Sequence, residues 1–200
     1  MTTRAVLEQP VTELLVLCTG NAARSVMAGF MLETLHAARD GEGADGSEGG
    51  DGRVRGNRLH IVTGGTHTVD GQPMGVRTRT ALATIPELAG VAFGRHRSRQ
   101  VSGDDLARAE LVVVMEADHV RFVRRQFPQA ADRTATIRRL CEDLTPGPPS
   151  LAKRVAGLGL ESSTLSEEDD VLDPAGGDAA TYDACVKELW SLTQRLITLL

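Results

Sequence analysis

The sequence predicts a single α/β domain with a central parallel sheet of about four strands and helices on both faces. The alternation of elements along the chain indicates this fold class, and the chain length indicates a single domain. Short apolar runs, each typical of a buried strand, alternate along the chain with segments of helical periodicity. Strands that alternate with helices build units in which the strands lie parallel. The chain has 200 residues, which is enough for one well-cored domain, so we expect residues 1–200 to fold as one unit.

Four apolar runs are the predicted strands: Glu13 to Cys18, Leu59 to Val62, Leu111 to Met115 and, more weakly, Thr136 to Leu140. Apolar residues at helical spacing predict one helix after Ser25, a second that ends before Pro128, and a third at the C-terminus. The third is the clearest, because its apolar residues form one stripe and Asp178 is placed to cap its start. That stripe consists of Tyr182, Cys185, Val186, Leu189, Leu196, Ile197 and Leu200.

Two polar stretches interrupt this pattern. Residues 40–56 read DGEGADGSEGGDGRVRG and offer almost nothing to bury. Because neither flank has enough apolar sequence to fold alone, we predict a flexible surface loop here and not a domain boundary. The stretch from Glu161 to Asp170 is also predicted to be a loop.

Composition argues against several classes of protein. The chain has 22 Lys and Arg against 27 Asp and Glu, a net charge of −5, without the basic excess of a nucleic-acid binder. No apolar run approaches the roughly 20 residues of a membrane-spanning helix, and Met1 to Pro10 lacks the apolar core of a signal peptide. Three widely spaced cysteines predict neither a zinc site nor a disulfide framework. We therefore expect a cytoplasmic protein with no metal, no nucleic-acid partner and no membrane partner.

Residues 18–25, which we call the phosphate loop, carry the most chemical information. The first predicted strand ends at Cys18, five residues follow, and Arg24 and Ser25 open an amphipathic helix. A loop in this position can aim backbone N–H groups at one centre, and the helix N-terminus adds positive charge that suits a phosphate. Gly20 is predicted to permit a backbone angle that a Cβ would obstruct. Arg24 can hold two phosphate oxygens, and Cys18 as a thiolate can attack phosphorus. On its own, Cys18 would be read as a small core residue.

The segment VLCTGNAARSVMA resembles the signature of the low-molecular-weight protein tyrosine phosphatases, a family that also contains related arsenate reductases. GTHTVDGQPM, HRSRQVSGDDLARAELVVVMEADHV and DVLDPAGGD continue the resemblance over nearly the whole chain, apart from the first ten residues and the acidic loop. The resemblance implies phosphomonoester hydrolysis through a phosphocysteine on Cys18, with no cofactor. It implies that Arg24 clamps the phosphate and that Asp173 protonates the leaving group and then activates water. Alone, the pair Asp173-Pro174 would indicate only a turn.

The resemblance also assigns supporting roles. Asn21 and Ser25 hold the loop in shape, Ser25 also donates a hydrogen bond to the thiolate, and His96 braces the loop through Asn21. Without the resemblance, His96 is as easily an exposed histidine in a basic stretch. The residues implied to bind the substrate phosphate are Thr19, Gly20, Asn21, Ala22, Ala23 and Ser25.

Three positions depart from the family pattern. Ala23 stands where a second cysteine is common, and Val26 stands where Pro or Gln is frequent. Ala175 follows Pro174, where phosphotyrosine-selective members typically carry an aromatic residue, and His67 to Pro73 contains no Phe, Tyr or Trp. The expected substrate is therefore a phosphorylated protein or a small phosphomonoester, with a preference for phosphotyrosine left open.

Two other functions are compatible with the loop. The first is arsenate reduction by Cys18 with a small-molecule thiol, and the second is a catalytically silent phosphate-binding or interaction domain. Binding alone requires neither a thiol nor an acid, so the presence of Cys18, Arg24 and Asp173 together favours an enzyme. Cys141 and Cys185 do not resemble a mobile pair that resolves a cysteine–arsenic adduct, which favours hydrolysis.

Overall fold

A four-stranded parallel sheet lies at the centre of the structure, a computed structural model that describes residues 11–42 and 58–200. Its strands are β1 (Val11–Cys18), β2 (Arg58–Gly65), β3 (Leu111–Val114) and β4 (Thr134–Thr136), in the order β2-β1-β3-β4. Leu17 of β1 pairs with Gly64 of β2 and with Val114 of β3. The carboxyl ends of these three strands therefore meet at one edge of the sheet, where the phosphate loop begins.

Seven helices connect and follow the strands in the described ranges. They are α1 (Arg24–Glu42), α2 (Val76–Leu82), α3 (Gly103–Arg108), α4 (Ala117–Gln126), α5 (Ile137–Asp143), α6 (Leu151–Ala156) and α7 (Ala179–Leu199). Short 3-10 segments cover Pro86–Leu88, Phe93–Arg95, Pro128–Arg133 and Glu167–Asp169. None of the helices in these ranges is long and apolar enough to cross a membrane.

The two faces of the sheet have separate cores, as the period-2 alternation of a strand requires. Leu14 and Val16 of β1 pack in a cluster with buried residues of α1, α2, α5, α6 and α7. Leu15 and Leu17 point the other way and pack with α3 and α4. The predicted fold class, a parallel sheet of four strands with helices on both faces, is confirmed.

The prediction of a fourth strand over Thr136 to Leu140 is wrong in its position. β4 covers Thr134–Thr136, and most of the run from Thr136 to Leu140 belongs to α5. The Thr136 hydroxyl accepts a hydrogen bond from the Arg139 amide and caps α5. Ile137, Leu140 and Cys141 are buried at helical spacing. An N-cap and a 3.6-residue period therefore determine the structure of this apolar run.

The other elements match the predictions more closely. The three predicted helices are α1, α4 and α7, and the Asp178 side chain caps α7 by accepting from the Thr181 amide at 2.9 Å. The stretch from Glu161 to Asp170 is irregular apart from the turn Glu167–Asp169. Helix α1 continues to Glu42, and the rest of the loop predicted over 40–56 lies outside the described residues.

Candidate active site

The phosphate loop connects the end of β1 to the start of α1 and is surrounded by segments that leave neighbouring strands. The segment after β2 supplies Thr66 and His67, whose amides donate to the carbonyls of Cys18 and Thr19, both at 2.9 Å. Side chains donate to the next three carbonyls. Thr68 Oγ1 donates to the Gly20 carbonyl at 2.7 Å, and His96 Nε2 donates to the Asn21 carbonyl at 2.8 Å. Thr78 Oγ1 donates to the Ala22 carbonyl at 3.0 Å. Five successive loop carbonyls are thus tied to groups outside the loop.

The tied carbonyls determine where the loop amides point. In a trans peptide, the carbonyl of one residue and the N–H of the next point in opposite directions. The N–H groups of residues 19–23 therefore face the inner side of the loop, and none of them has an acceptor among the described residues. Convergent N–H groups beside a helix N-terminus form a site suited to a phosphoryl group.

Asn21 adopts the backbone angle that gives the loop its curl. Its φ is 47°, in the left-handed region that Asn tolerates better than most residues. The Asn21 side chain stabilises this turn, because Oδ1 accepts from the Arg99 amide and Nδ2 donates to Ser25 Oγ, both at 3.1 Å. The prediction that Gly20 supplies the special angle is wrong: Gly20 has no positive φ, and a Cβ there would meet no heavy atom within 4 Å.

The nucleophile candidate Cys18 is buried, with 3% of its surface exposed. Its Sγ lies 3.0 Å from Ser25 Oγ. Because Ser25 already accepts from Asn21, its own proton is free to point at the sulfur. Ser25 is therefore placed to donate to a thiolate.

Among the described residues, Arg24 is the largest fully buried side chain, with 1% exposure. Its guanidinium donates to Glu116 Oε1, to the Val171 carbonyl at 2.9 Å and to Asp173 Oδ2 at 2.8 Å. A buried cation needs such partners, because an uncompensated charge inside a protein is costly. These three partners hold the guanidinium group in one orientation.

Asp173 reaches the site from the loop that precedes α7. Its Oδ1 accepts from the Ala175 amide at 3.0 Å, and its side chain is 39% exposed. The structure thus brings the predicted acid onto the predicted phosphate clamp, at the open side of the site.

His96 contacts the phosphate loop through its ring. It is half-buried, and burial lowers the pKa of His96 below its usual value. The neutral ring donates its Nε2 proton to the Asn21 carbonyl, so the loop contact does not depend on a charge on His96. His96 therefore lies where the resemblance implied, in contact with Asn21 of the loop, and it is not an exposed histidine.

Sequence reasoning missed Glu116 and His119, which lie at the start of α4. Glu116 bonds Arg24, and His119 Nε2 lies 3.0 Å from Thr19 Oγ1. Both residues follow β3, whose carboxyl end meets that of β1. Their position in the sequence could have indicated this, because polar residues that directly follow neighbouring parallel strands lie near one another.

One side of the mouth of the site has an aromatic surface that the sequence did not predict. His67 is exposed, and its backbone amide donates to the Thr19 carbonyl of the loop. The His67 ring packs edge-on against the ring of Phe122 from α4, with 5.4 Å between centroids. The segment His67 to Pro73 does lack Phe, Tyr and Trp, but a neighbouring helix supplies a ring.

The two other cysteines are buried and free. Burial raises the pKa of Cys141 to about 11 and that of Cys185 to about 12. Both are therefore protonated at neutral pH. Within the described ranges, no group of three or more His, Cys, Asp or Glu side chains is arranged to hold a metal ion.

Comparison with known proteins gives consistent matches over nearly the whole chain. No protein-family model matches this chain, and the matches are to individual proteins and solved structures. A curated protein-arginine-phosphatase of Geobacillus stearothermophilus is 25% identical over 183 residues, which are 92% of this chain and 92% of that protein. The structure of a low-molecular-weight protein tyrosine phosphatase from T. tengcongensis superposes with a TM-score of 0.67 at 24% identity, over 94% of this chain and 99% of that one. A YwlE arginine phosphatase mutant with a phosphorylated active-site serine gives a TM-score of 0.65 at 21% identity, over 93% of each chain.

Proposed function

We propose that this chain is a member of the low-molecular-weight protein tyrosine phosphatase family, which it resembles over nearly its whole length, and that it hydrolyses phosphomonoesters through a phosphocysteine on Cys18. The main support is the construction of the loop. Its carbonyls are held outward, its amides converge, and Ser25 is placed to donate to the sulfur of Cys18. A core cysteine at a strand end would need none of these features.

In the first step, the substrate phosphate binds with its non-bridging oxygens on the loop amides and on Arg24. The Cys18 thiolate attacks phosphorus opposite the leaving group, so an S–P bond forms while the P–O bond to the leaving group breaks. Charge that develops on the phosphoryl oxygens is stabilised by N–H groups that are already oriented, which is where preorganised sites obtain most of their rate. Ser25 stabilises the thiolate before attack and again when it is regenerated.

The leaving oxygen requires a proton, and Asp173 is the carboxyl group positioned to give it. Asp173 accepts from Arg24 Nη2 at 2.8 Å, and a bound phosphate competes with this carboxylate for the guanidinium. Away from the guanidinium, the Asp173 carboxylate takes up a proton from solvent, and the resulting carboxyl group donates that proton to the leaving oxygen. In the second step, the Asp173 carboxylate accepts a proton from water, and the resulting hydroxide attacks phosphorus. The S–P bond breaks, which releases inorganic phosphate and returns Cys18 as a thiolate.

The protonated cysteines speak against arsenate reduction that is completed by the protein's own thiols. That reaction needs a second thiolate to resolve a cysteine–arsenic adduct. The raised pKa values of Cys141 and Cys185 leave both as buried thiols, and neither is a suitable attacking group. A small-molecule thiol would be required, so an arsenate assay must include one.

For the natural substrate we propose a phosphorylated side chain of a protein. The relatives named above act as tyrosine and arginine phosphatases, and a phenol ring and a guanidinium group are both planar. Phosphoarginine carries its phosphate on nitrogen, so on that substrate a P–N bond breaks in place of the P–O bond and the leaving nitrogen receives the proton. The exposed His67 ring, packed against Phe122, offers a face for stacking such a group. A cytoplasmic location is part of the proposal, because a nucleophilic thiol functions only where it stays reduced.

The test of the proposed chemistry is Cys18→Ser, assayed with an aryl phosphate and by binding of inorganic phosphate. We expect turnover to be lost and phosphate binding to remain, because the amides and Arg24 bind while the sulfur attacks. Cys141→Ser is the matched control: its hydroxyl can keep the bond that the thiol makes to the Leu192 carbonyl at 3.4 Å, and activity should persist.

Two results would reject the proposal. One is aryl-phosphate hydrolysis by Cys18→Ser at a rate near that of the wild type. The other is robust arsenate turnover by the wild type with a small-molecule thiol, together with no activity on any phosphomonoester.

A further inference from the structure

His119 makes one hydrogen bond with one of its two ring nitrogens. It lies on α4 with 3% of its surface exposed, and its Nε2 is 3.0 Å from the hydroxyl oxygen of Thr19. The same nitrogen is 3.7 Å from Glu116 Oε2. Its other nitrogen, Nδ1, is buried and has no hydrogen-bond partner among the residues that the structure describes. The resemblance to known phosphatases assigned no role to this residue.

The contacts select one tautomer of the neutral ring. If the proton were on Nδ1, that buried N–H would have no acceptor, and the Nε2 lone pair, while accepting from Thr19, would also lie 3.7 Å from a carboxylate oxygen of Glu116. If the proton is on Nε2, the N–H donates to Thr19 and lies near the Glu116 carboxylate, while Nδ1 keeps only an unshared lone pair. A buried N–H without an acceptor costs more free energy than a buried lone pair without a donor. The Nε2–H form is therefore favoured.

This tautomer determines the direction of the Thr19 hydroxyl. With its oxygen accepting from His119, the hydroxyl must direct its own proton elsewhere, and it makes no other hydrogen bond to the described residues. Thr19 is exposed and directly follows the nucleophile. The acceptors open to it are solvent and an oxygen of a phosphoryl group bound beside Cys18.

Building on the proposed phosphatase activity, we propose that His119 is a positioning residue that holds the Thr19 hydroxyl as a hydrogen-bond donor to the phosphoryl group in the phosphate loop. Glu116 supports both halves of this arrangement, since it bonds Arg24 and lies beside the His119 ring. The start of α4 thus orients two donors to the substrate, one charged and one neutral.

The surroundings keep His119 neutral in the pH range of the reaction. Burial, and then the nearby Arg24 guanidinium, lower the pKa of His119 to about 4. Asp173 and Asp118 oppose this decrease, and His67 adds to it. Glu116 is the other charged group beside the ring. The hydrogen bond to Thr19 therefore persists throughout the neutral range.

The experiment is a double-mutant cycle of Thr19→Val and His119→Leu in the full chain, with His119→Gln as the conservative variant. Each single change should lower kcat/KM for an aryl phosphate by about tenfold, the scale of one hydrogen bond. The double variant should lose no more than either single variant, because both changes remove the same donor. His119→Gln, which keeps an N–H donor, should recover most of the activity. The ¹⁵N shifts of the wild-type ring at neutral pH should show the Nε2–H tautomer.

Losses that multiply in the double variant, or a folded His119→Gln variant no more active than His119→Leu, would overturn the proposal. An Nδ1–H tautomer in the wild type would do the same, and that measurement does not depend on whether any variant folds. If the wild type hydrolyses no phosphomonoester, the proposed function fails separately. The same cycle, measured as inorganic-phosphate affinity, then decides the role of His119: coupled losses support it and independent losses reject it.

Discussion

Replacing Asp173 by Asn removes a proton donor while nearly preserving the shape of the site. The asparagine can still accept from the Ala175 amide or from Arg24 through its single oxygen, but not from both, since its NH₂ group cannot accept. The lost ion pair involves a carboxylate that is 39% exposed, so the change in the free energy of unfolding should stay below about 1 kcal/mol. The folded protein should therefore report on catalysis alone.

The expected loss in kcat is roughly 10²–10⁴-fold, the usual contribution of a positioned general acid. This corresponds to roughly 3–5 kcal/mol of transition-state stabilisation. The loss should depend on the leaving group, because a stable phenoxide departs without a proton and a less stable one does not. We expect the largest loss for phenyl phosphate and a smaller one for para-nitrophenyl phosphate.

The assay is steady-state kinetics over a series of aryl phosphates whose phenols differ in acidity. Asp169→Asn is the matched control, because Asp169 lies four residues earlier in the same segment and makes no bond to Arg24. It should leave kcat unchanged. Equal losses for good and poor leaving groups would refute the assignment of Asp173 as the acid, and so would an unchanged kcat.

Three further predictions follow from buried groups in and around the site. Glu116→Ala should lower the free energy of unfolding by about 3 kcal/mol, because it removes a partner of the buried Arg24. Calorimetry should show a Tm lower by about 6–12 °C, with partial recovery in inorganic phosphate. An unchanged Tm would contradict this prediction. The pKa of His119 is near 6.5 in the unfolded chain and about 4 in the folded protein, so between these values only the unfolded chain binds the proton. Stability should therefore fall as pH falls through this window, by up to about 3 kcal/mol, and denaturant titrations should show a shallower pH dependence in His119→Leu. Mild peroxide should oxidise Cys18 to sulfenic and then higher acids without a Cys18–Cys185 disulfide, because Cys185 has no thiolate to resolve the first product; detection of that disulfide by mass spectrometry would refute this.

The parts of the molecule that the sequence predicted are those determined by local pattern. A buried strand, a loop with Cys18 and Arg24 at fixed spacing, and an amphipathic helix are all contiguous in the chain, and the structure places them as expected. The run from Thr136 to Leu140 was harder, because a short apolar run has no clear period until its cap is known. Thr136 proved to be that cap.

The parts that the sequence did not predict depend on contacts across the sheet edge. Glu116 and His119 reach the phosphate loop only because β3 lies beside β1, a strand order that periodicity does not specify. The role given to Gly20 failed for a different reason. Glycine is the usual residue where φ is positive, but Asn21 can adopt that angle because its side chain bonds the surrounding backbone.

The five tied carbonyls of the phosphate loop have a consequence for recognising active proteins of this type. Two of the ties come from backbone amides after β2, which residues of almost any type can supply, whereas three come from the side chains of Thr68, Thr78 and His96. The eight residues of the phosphate loop therefore do not determine its conformation by themselves. A chain with the same loop sequence but without donors at those three places would have carbonyls free to turn inward, and its motif would be a poor guide to activity. Transfer of the loop into another α/β scaffold would need all three donors to move with it.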